Sequence, residues 1–117
     1  MDINKSAKIL LESILIEIAD IKSFVGDLSE ADFFADVKRK KATTMSLINI
    51  GEIANIFSKH SKDDLGLPLS NMMAMRNVVA HGYFTIRNER VWYTLKNSIP
   101  ELEIKIRKII NDASGKN

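Results

Sequence analysis

The sequence predicts an all-α, up-and-down bundle of four to five helices. Apolar residues recur at spacings of three and four through most of the chain, and strand-like alternation is scarce. Only two prolines and five glycines punctuate it. With 117 residues and no cysteine, the chain reads as one domain that folds on an apolar core without disulfides. We place that domain at residues 1–112 and a frayed tail at 113–117.

The first helix carries Ile3, Ala7, Leu10, Ile14, Ile18, Ile21 and Val25 on one stripe. Ile9, Leu11 and Ile16 lie off that stripe, so the helix is apolar over more than one face. Burial on two sides explains this, and a subunit interface is one source of the second side. Gly26 and the following DLSEAD break the helix. The second helix reads from Phe33 or Asp36 to Lys59, with a main stripe of Met45, Ile48, Asn49, Ile53, Ile56 and Phe57. Glu52 is four residues from both Ile48 and Ile56 and is expected to lean toward that apolar side.

SKDDLGLPLS follows as a loop, punctuated by Gly66 and Pro68. Ser70 is placed to cap a third helix from Asn71 to Ala80 or His81, which Gly82 ends. A last helical stretch covers Asn88 to Asp112. Pro100 interrupts it, and Ser98-Ile99-Pro100-Glu101 has the form of a capping box, so a kink or restart is expected there.

Composition narrows the function classes. A net charge of +2 is too small for a nucleic-acid binder that works by bulk electrostatics, so any role on RNA needs a local site. No apolar run is long enough for a membrane span, and MDINKSAKILLESILIEIADIK interleaves charges unlike a signal peptide. With the lack of cysteine, this gives the expectation of a cytoplasmic protein and no membrane partner.

Against that background, MRNVVAHGYF concentrates Arg76, Asn77, His81 and Tyr83 in an otherwise apolar stretch. Such polar groups must be solvated, paired or functional. On a helix Asn77 and His81 share a face, and Arg76 lies about 140° from His81, close enough to converge on a groove edge. Gly82 lets the chain turn so that Tyr83 folds back toward the same spot. Together they supply a proton-transfer group, a fixed cation, an amide and a phenol. That set suits phosphodiester cleavage, in which a base takes the 2′-hydroxyl proton and a cation holds the phosphate oxygens. It demands no metal and no cofactor. Singly, each residue has a plainer reading: His81 as a helix-end cap, Arg76 as a partner of Glu52, and Tyr83 as packing.

Arg76-x4-His81-x-Tyr83 resembles the R-x4-H-x-Y signature of the HepT-like proteins in the wider HEPN group. Ile50-Gly51-Glu52-Ile53-Ala54, Val91-Trp92 and Ile99-Pro100-Glu101-Leu102 extend the resemblance in order along nearly the whole chain. It implies a small helical homodimer that is the toxin half of a toxin–antitoxin pair, with a minimal nucleotidyltransferase as antitoxin. It further implies a metal-independent ribonuclease whose arginine and histidine sit in a cleft at the dimer interface. By this resemblance Arg76 and His81 are catalytic, Asn77 supports the site or the phosphate, and Tyr83 is the residue to which the partner transfers AMP.

The residue inventory bears on the dimer separately. Acid–base cleavage wants two proton-transfer groups, yet the histidines are only His60 and His81. His60, in KHSKDD, reads as a solvated cap, so a natural second group is His81 of another copy across a two-fold axis. The run Val37-Lys38-Arg39-Lys40-Lys41 offers RNA-backbone contacts through Lys38, Arg39, Lys40 and Lys41, or else a solvated helix face. Trp92 and Tyr93 are candidates to stack a base, with core or interface packing the plainer role for Trp92. Two other function classes stay open: a non-catalytic nucleotide- or substrate-binding subunit of a two-component nucleotidyltransferase, and a structural dimer that buries His81.

Overall fold

Three short polar side chains open the first three helices. In the computed structural model, which describes residues 3–77 and 88–114, Asn4 starts α1 (Lys5–Val25), its Oδ1 accepting the Ala7 N–H at 2.7 Å. Gly26, at φ 53°, ends α1 and returns its N–H to the Lys22 carbonyl. Ser29 caps the short α2 (Glu30–Ala35), accepting the Asp32 N–H at 3.1 Å. Asp36 caps α3 (Val37–His60), accepting the Arg39 N–H at 3.1 Å. Two helices thus stand where the sequence suggested one, separated by the single extended residue Asp36. The remaining helices are α4 (Leu69–Ala74), α5 (Asn88–Tyr93) and α6 (Ile99–Ser114), with a π-helical turn, Thr94–Ser98, joining the last two. Among the described residues there is no strand, and no helix is long and apolar enough to cross a membrane.

The core lies where α1 packs against α3 on one side and α6 on another. Leu11, Ile14, Ile18 and Ile21 of α1 meet Leu47, Ile50 and Phe57 of α3 and Ile99 and Ile106 of α6, all but sealed from water. Each such side chain contributes about 1.5–3 kcal/mol relative to exposure. Phe33 of α2 closes one end, its ring centroid 5.8 Å from Trp92 and 5.1 Å from Phe34. Trp92 therefore takes the plainer of its two roles, packing.

Several local expectations change. On α1 it is Leu11 that belongs to the core, while Leu10 is half-buried; Ile9 and Ile16 remain outside, 54% and 62% exposed. On α3 the buried face is Thr43, Thr44, Ser46, Leu47, Ile50, Gly51, Ala54 and Phe57. The expected stripe is mostly elsewhere: Met45 is 58% and Ile56 42% exposed, and Ile48, Asn49 and Ile53 are half-buried. Glu52 points to solvent with them. Helical periodicity marks both faces of α3, and contact with its neighbours decided which one went inside.

Ser70 is not a cap, because α4 already starts at Leu69 after Pro68. That helix is interrupted after Ala74 by a tight turn whose Met75 and Arg76 N–H groups bond the carbonyls of Met72 and Met73; Asn77 is helical again, and the expected end at Ala80 or His81 lies outside the described residues. The α-helix is interrupted before Pro100 and starts again at Ile99, through a π-helical turn and not from a side-chain cap. Proline has no N–H to give the Lys96 carbonyl, and the helix widens instead, with the Ile99 N–H reaching back to Thr94. Ser98 sits inside that turn, so the capping box does not form.

Candidate functional site

The site is anchored by a glycine in the middle of a helix. A Cβ on Gly51 would stand 2.7 Å from the Arg76 nitrogen, 2.8 Å from the Arg76 Cβ and 3.1 Å from the Met73 carbonyl oxygen. Only a residue without a side chain lets the end of α4 settle backbone-to-backbone on α3. This explains why a helix interior accepts a residue that costs it about 1 kcal/mol relative to alanine. The α4 turn is pressed onto α3 at this point, and Arg76 leaves it with a fixed origin.

The Arg76 side chain then reaches over α3 toward Glu52, Nη1 to Oε1 at 3.8 Å. The pairing with Glu52 weighed from the sequence therefore exists, but as a loose ion pair beyond hydrogen-bonding distance. Both groups are open to water, where such pairs stabilise by less than about 1 kcal/mol. A phosphate oxygen able to make direct charge-assisted hydrogen bonds can compete for this guanidinium. Asn77 follows directly and is half-buried. His81 and Tyr83, with Gly82 between them, lie outside the described residues. The structure thus assembles Gly51, Glu52, Arg76 and Asn77 at one junction.

The other candidates divide. Arg39 is committed to the fold: Nη1 donates to the Phe24 carbonyl at 2.8 Å, and Nε pairs with Asp36 at 3.2 Å. Lys38 and Lys41 face water and Lys40 is half-buried, so the basic run is no continuous cationic strip. His60 is exposed, its Nδ1 3.0 Å from the Ile56 carbonyl, the helix-end role expected of it. Tyr93 is exposed and free to stack, whereas Trp92 lies against Phe33 and Phe34 with the Lys96 ammonium 5.5 Å from its ring. Among the described residues no group of three or more histidine or carboxylate side chains is arranged to hold a metal ion.

Sequence reasoning did not single out two features. Gly51 enters the sequence reading only through the resemblance, although a lone glycine in an otherwise helical pattern is itself a signal of close backbone approach. A stripe of Arg90, Thr94, Ser98 and Lys105 along α5 and α6 escaped notice because polar residues on a helix are normally just its wet side.

Comparison with known proteins agrees with the resemblance. The model of the family described as "Ribonuclease HepT-like" matches residues 14–109. "Putative RNase MJ0127" of Methanocaldococcus jannaschii is 31% identical over 112 residues, covering 95% of this chain and 93% of its own. "Probable ribonuclease HepT" of Thermococcus cleftensis is 32% identical over 106 residues, covering 90% and 96%. "Putative RNase TTE0752" of Caldanaerobacter subterraneus subsp. tengcongensis is 30% identical over 107 residues, covering 91% and 96%. No solved structure matches the chain.

Proposed function

The chain belongs to the ribonuclease HepT-like family, and on that premise we propose that it is a metal-independent endoribonuclease, the toxin half of a toxin–antitoxin pair. The observation that carries the reading is the junction at Gly51: Arg76 is fixed at its backbone, while its guanidinium is held only loosely by Glu52. A rigid origin with an exchangeable charge is what a phosphate-binding cation requires.

In this reading His81 removes the proton from a ribose 2′-hydroxyl. The freed oxygen attacks the adjacent phosphorus, the bond to the 5′-oxygen breaks, and the leaving oxygen takes a proton from His81 of a second copy. The products are a 2′,3′-cyclic phosphate and a 5′-hydroxyl. Arg76 holds the phosphate oxygens as charge builds on them, and Asn77 orients the site or the phosphate. Lys38 and Lys41, the exposed members of the basic run, guide backbone from farther away.

The outward apolar residues support a homodimer. Ile9 and Ile16 on α1, and Met45 and Ile56 on α3, are large side chains left in water by the single chain. Ile56 is one helical turn beyond Glu52, so the Arg76–Glu52 pair borders this surface. A second copy seated there brings two motifs together. Inhibition then follows from a minimal nucleotidyltransferase that transfers AMP to the Tyr83 hydroxyl. The added bulk and negative charge block the cleft and repel RNA phosphate.

The test is cleavage of a mixed labelled RNA by the purified chain in EDTA, beside His81→Ala, with intact mass on the same sample to establish that Tyr83 is free. Expected are cyclic phosphate ends from the parent and loss of about 100-fold or more in the variant. An unmodified dimer that cuts nothing would overturn the nuclease and support the non-catalytic binding subunit instead.

A further inference from the structure

Beside the Gly51 junction, a cleft of about 510 Å³ opens between α4 and the run of α5 and α6. Its floor is core: Met72, Val91 and Leu102 are buried beneath it. The far wall is polar along its length, with Arg90, Thr94, Ser98 and Lys105 in sequence. On a helix these positions recur at close to four residues and form one continuous stripe. The wet side of a helix is ordinarily convex and faces bulk water, whereas this stripe lines a concavity over apolar ground.

Lys22, Arg39, Arg76, Arg107 and Lys108 each pair with a carboxylate, but Arg90 and Lys105 have no ion-pair partner among the described residues. They are fifteen residues apart, about 22 Å at the rise of a helix, so they cannot grip one phosphate together. Two cations at opposite ends of a groove suit two phosphates of one strand. Glu101, which also lines the wall between Ser98 and Lys105, repels a phosphate in that interval. It is suited to accept from an exocyclic base amine or a 2′-hydroxyl instead. The opposite wall ends at Met75, and the next residue is Arg76.

We propose that this cleft is a binding track for single-stranded RNA leading to the Arg76 site, with phosphates at Arg90 and Lys105 and a base against the Met72 and Val91 floor. The cleft shares with single-strand binders a groove whose cations follow the backbone, with an aliphatic floor where those proteins use aromatic rings. The proposal rests on the ribonuclease reading and adds to it the path of the substrate.

The test is fluorescence anisotropy of a labelled mixed-sequence RNA whose riboses are 2′-O-methylated, so that binding is read without turnover, across a series of salt concentrations. The Arg90→Ala/Lys105→Ala variant is expected to bind about tenfold more weakly, with the log–log salt slope reduced by roughly 1.4, or 0.7 for each phosphate no longer neutralised. Lys62→Ala, which removes a lysine from an exposed loop, keeps the parent's affinity and slope. Both altered residues are exposed, so thermal unfolding of the variant matches the parent. A double variant with the parent's affinity and slope, while the parent cleaves RNA, overturns the track and leaves the nuclease standing. A parent that neither binds nor cleaves RNA overturns both.

Discussion

Helices α3 and α6 both pack on α1, yet α3 sets small residues among the large ones it buries, Leu47, Ile50 and Phe57, and α6 does not. With the π-helical turn before it, α6 inserts Leu95, Ile99, Leu102, Ile106 and Ile109, large aliphatic residues on one stripe. The first half of α3 buries Thr43, Thr44 and Ser46, and its middle buries Gly51 and Ala54. Neighbourhood explains the difference. α6 meets the core along one side, whereas α3 is touched by α1, α2 and α4 at once. A helix surrounded on several sides gains from small residues at its crossings, because they let neighbouring backbones approach. The helix that looks least ideal as a core element is the one that builds the site.

Substitutions in the two helices sharpen this contrast, and the largest expected effect is at the tight crossing. Gly51→Ala places a methyl group 2.7 Å from a backbone nitrogen, a clash that no side-chain adjustment relieves. Urea denaturation is expected to show a loss of about 1–3 kcal/mol, the usual cost of overpacking. Displacement of Arg76 should also lower RNA cleavage by roughly tenfold to 100-fold. A variant as stable and active as the parent would mean that the α3–α4 junction opens easily and does not position the arginine.

A smaller effect of opposite sign is expected farther along α3. The Thr43 hydroxyl is buried and has no hydrogen-bond partner among the described residues. Thr43→Val keeps the shape and removes the unsatisfied oxygen, so it should stabilise the fold by about 1 kcal/mol in the same measurement. A loss of stability would show that the small polar face of α3 is satisfied in solution and is not merely tolerated.

The smallest effect belongs to α6, where electrostatics work at the rim. Glu103 accepts hydrogen bonds from Lys22 at 2.9 Å and Arg107 at 3.0 Å. The Lys22 bond holds its carboxyl below the ordinary range, partial burial opposes that, and Arg107 adds to the lowering. A lowered folded-state pKa stabilises fully above the unfolded value, about 4.3, and the contribution is lost as pH falls through the folded value. Glu103→Gln should therefore cost less than about 1 kcal/mol at pH 7, given its exposed partners, and nothing by about pH 2. An equal deficit at both pH values would assign the effect to packing.

By itself the sequence determined that the chain is helical and roughly where its helices lie, because amphipathic periodicity and short polar caps such as Asp36 are properties of local stretches. It also singled out Arg76 and Asn77, since costly polar groups in an apolar run call for a reason before any fold is known. Tertiary structure alone decided which face of α3 turned inward, because that helix carries two apolar stripes and periodicity cannot rank them. It decided that α4 ends at Ala74 and turns Arg76 onto Gly51, a contact between residues twenty-five positions apart. And it decided that the polar stripe of α5 and α6 lines a cleft, because a helix encodes its own wet side but not the shape of what stands across from it.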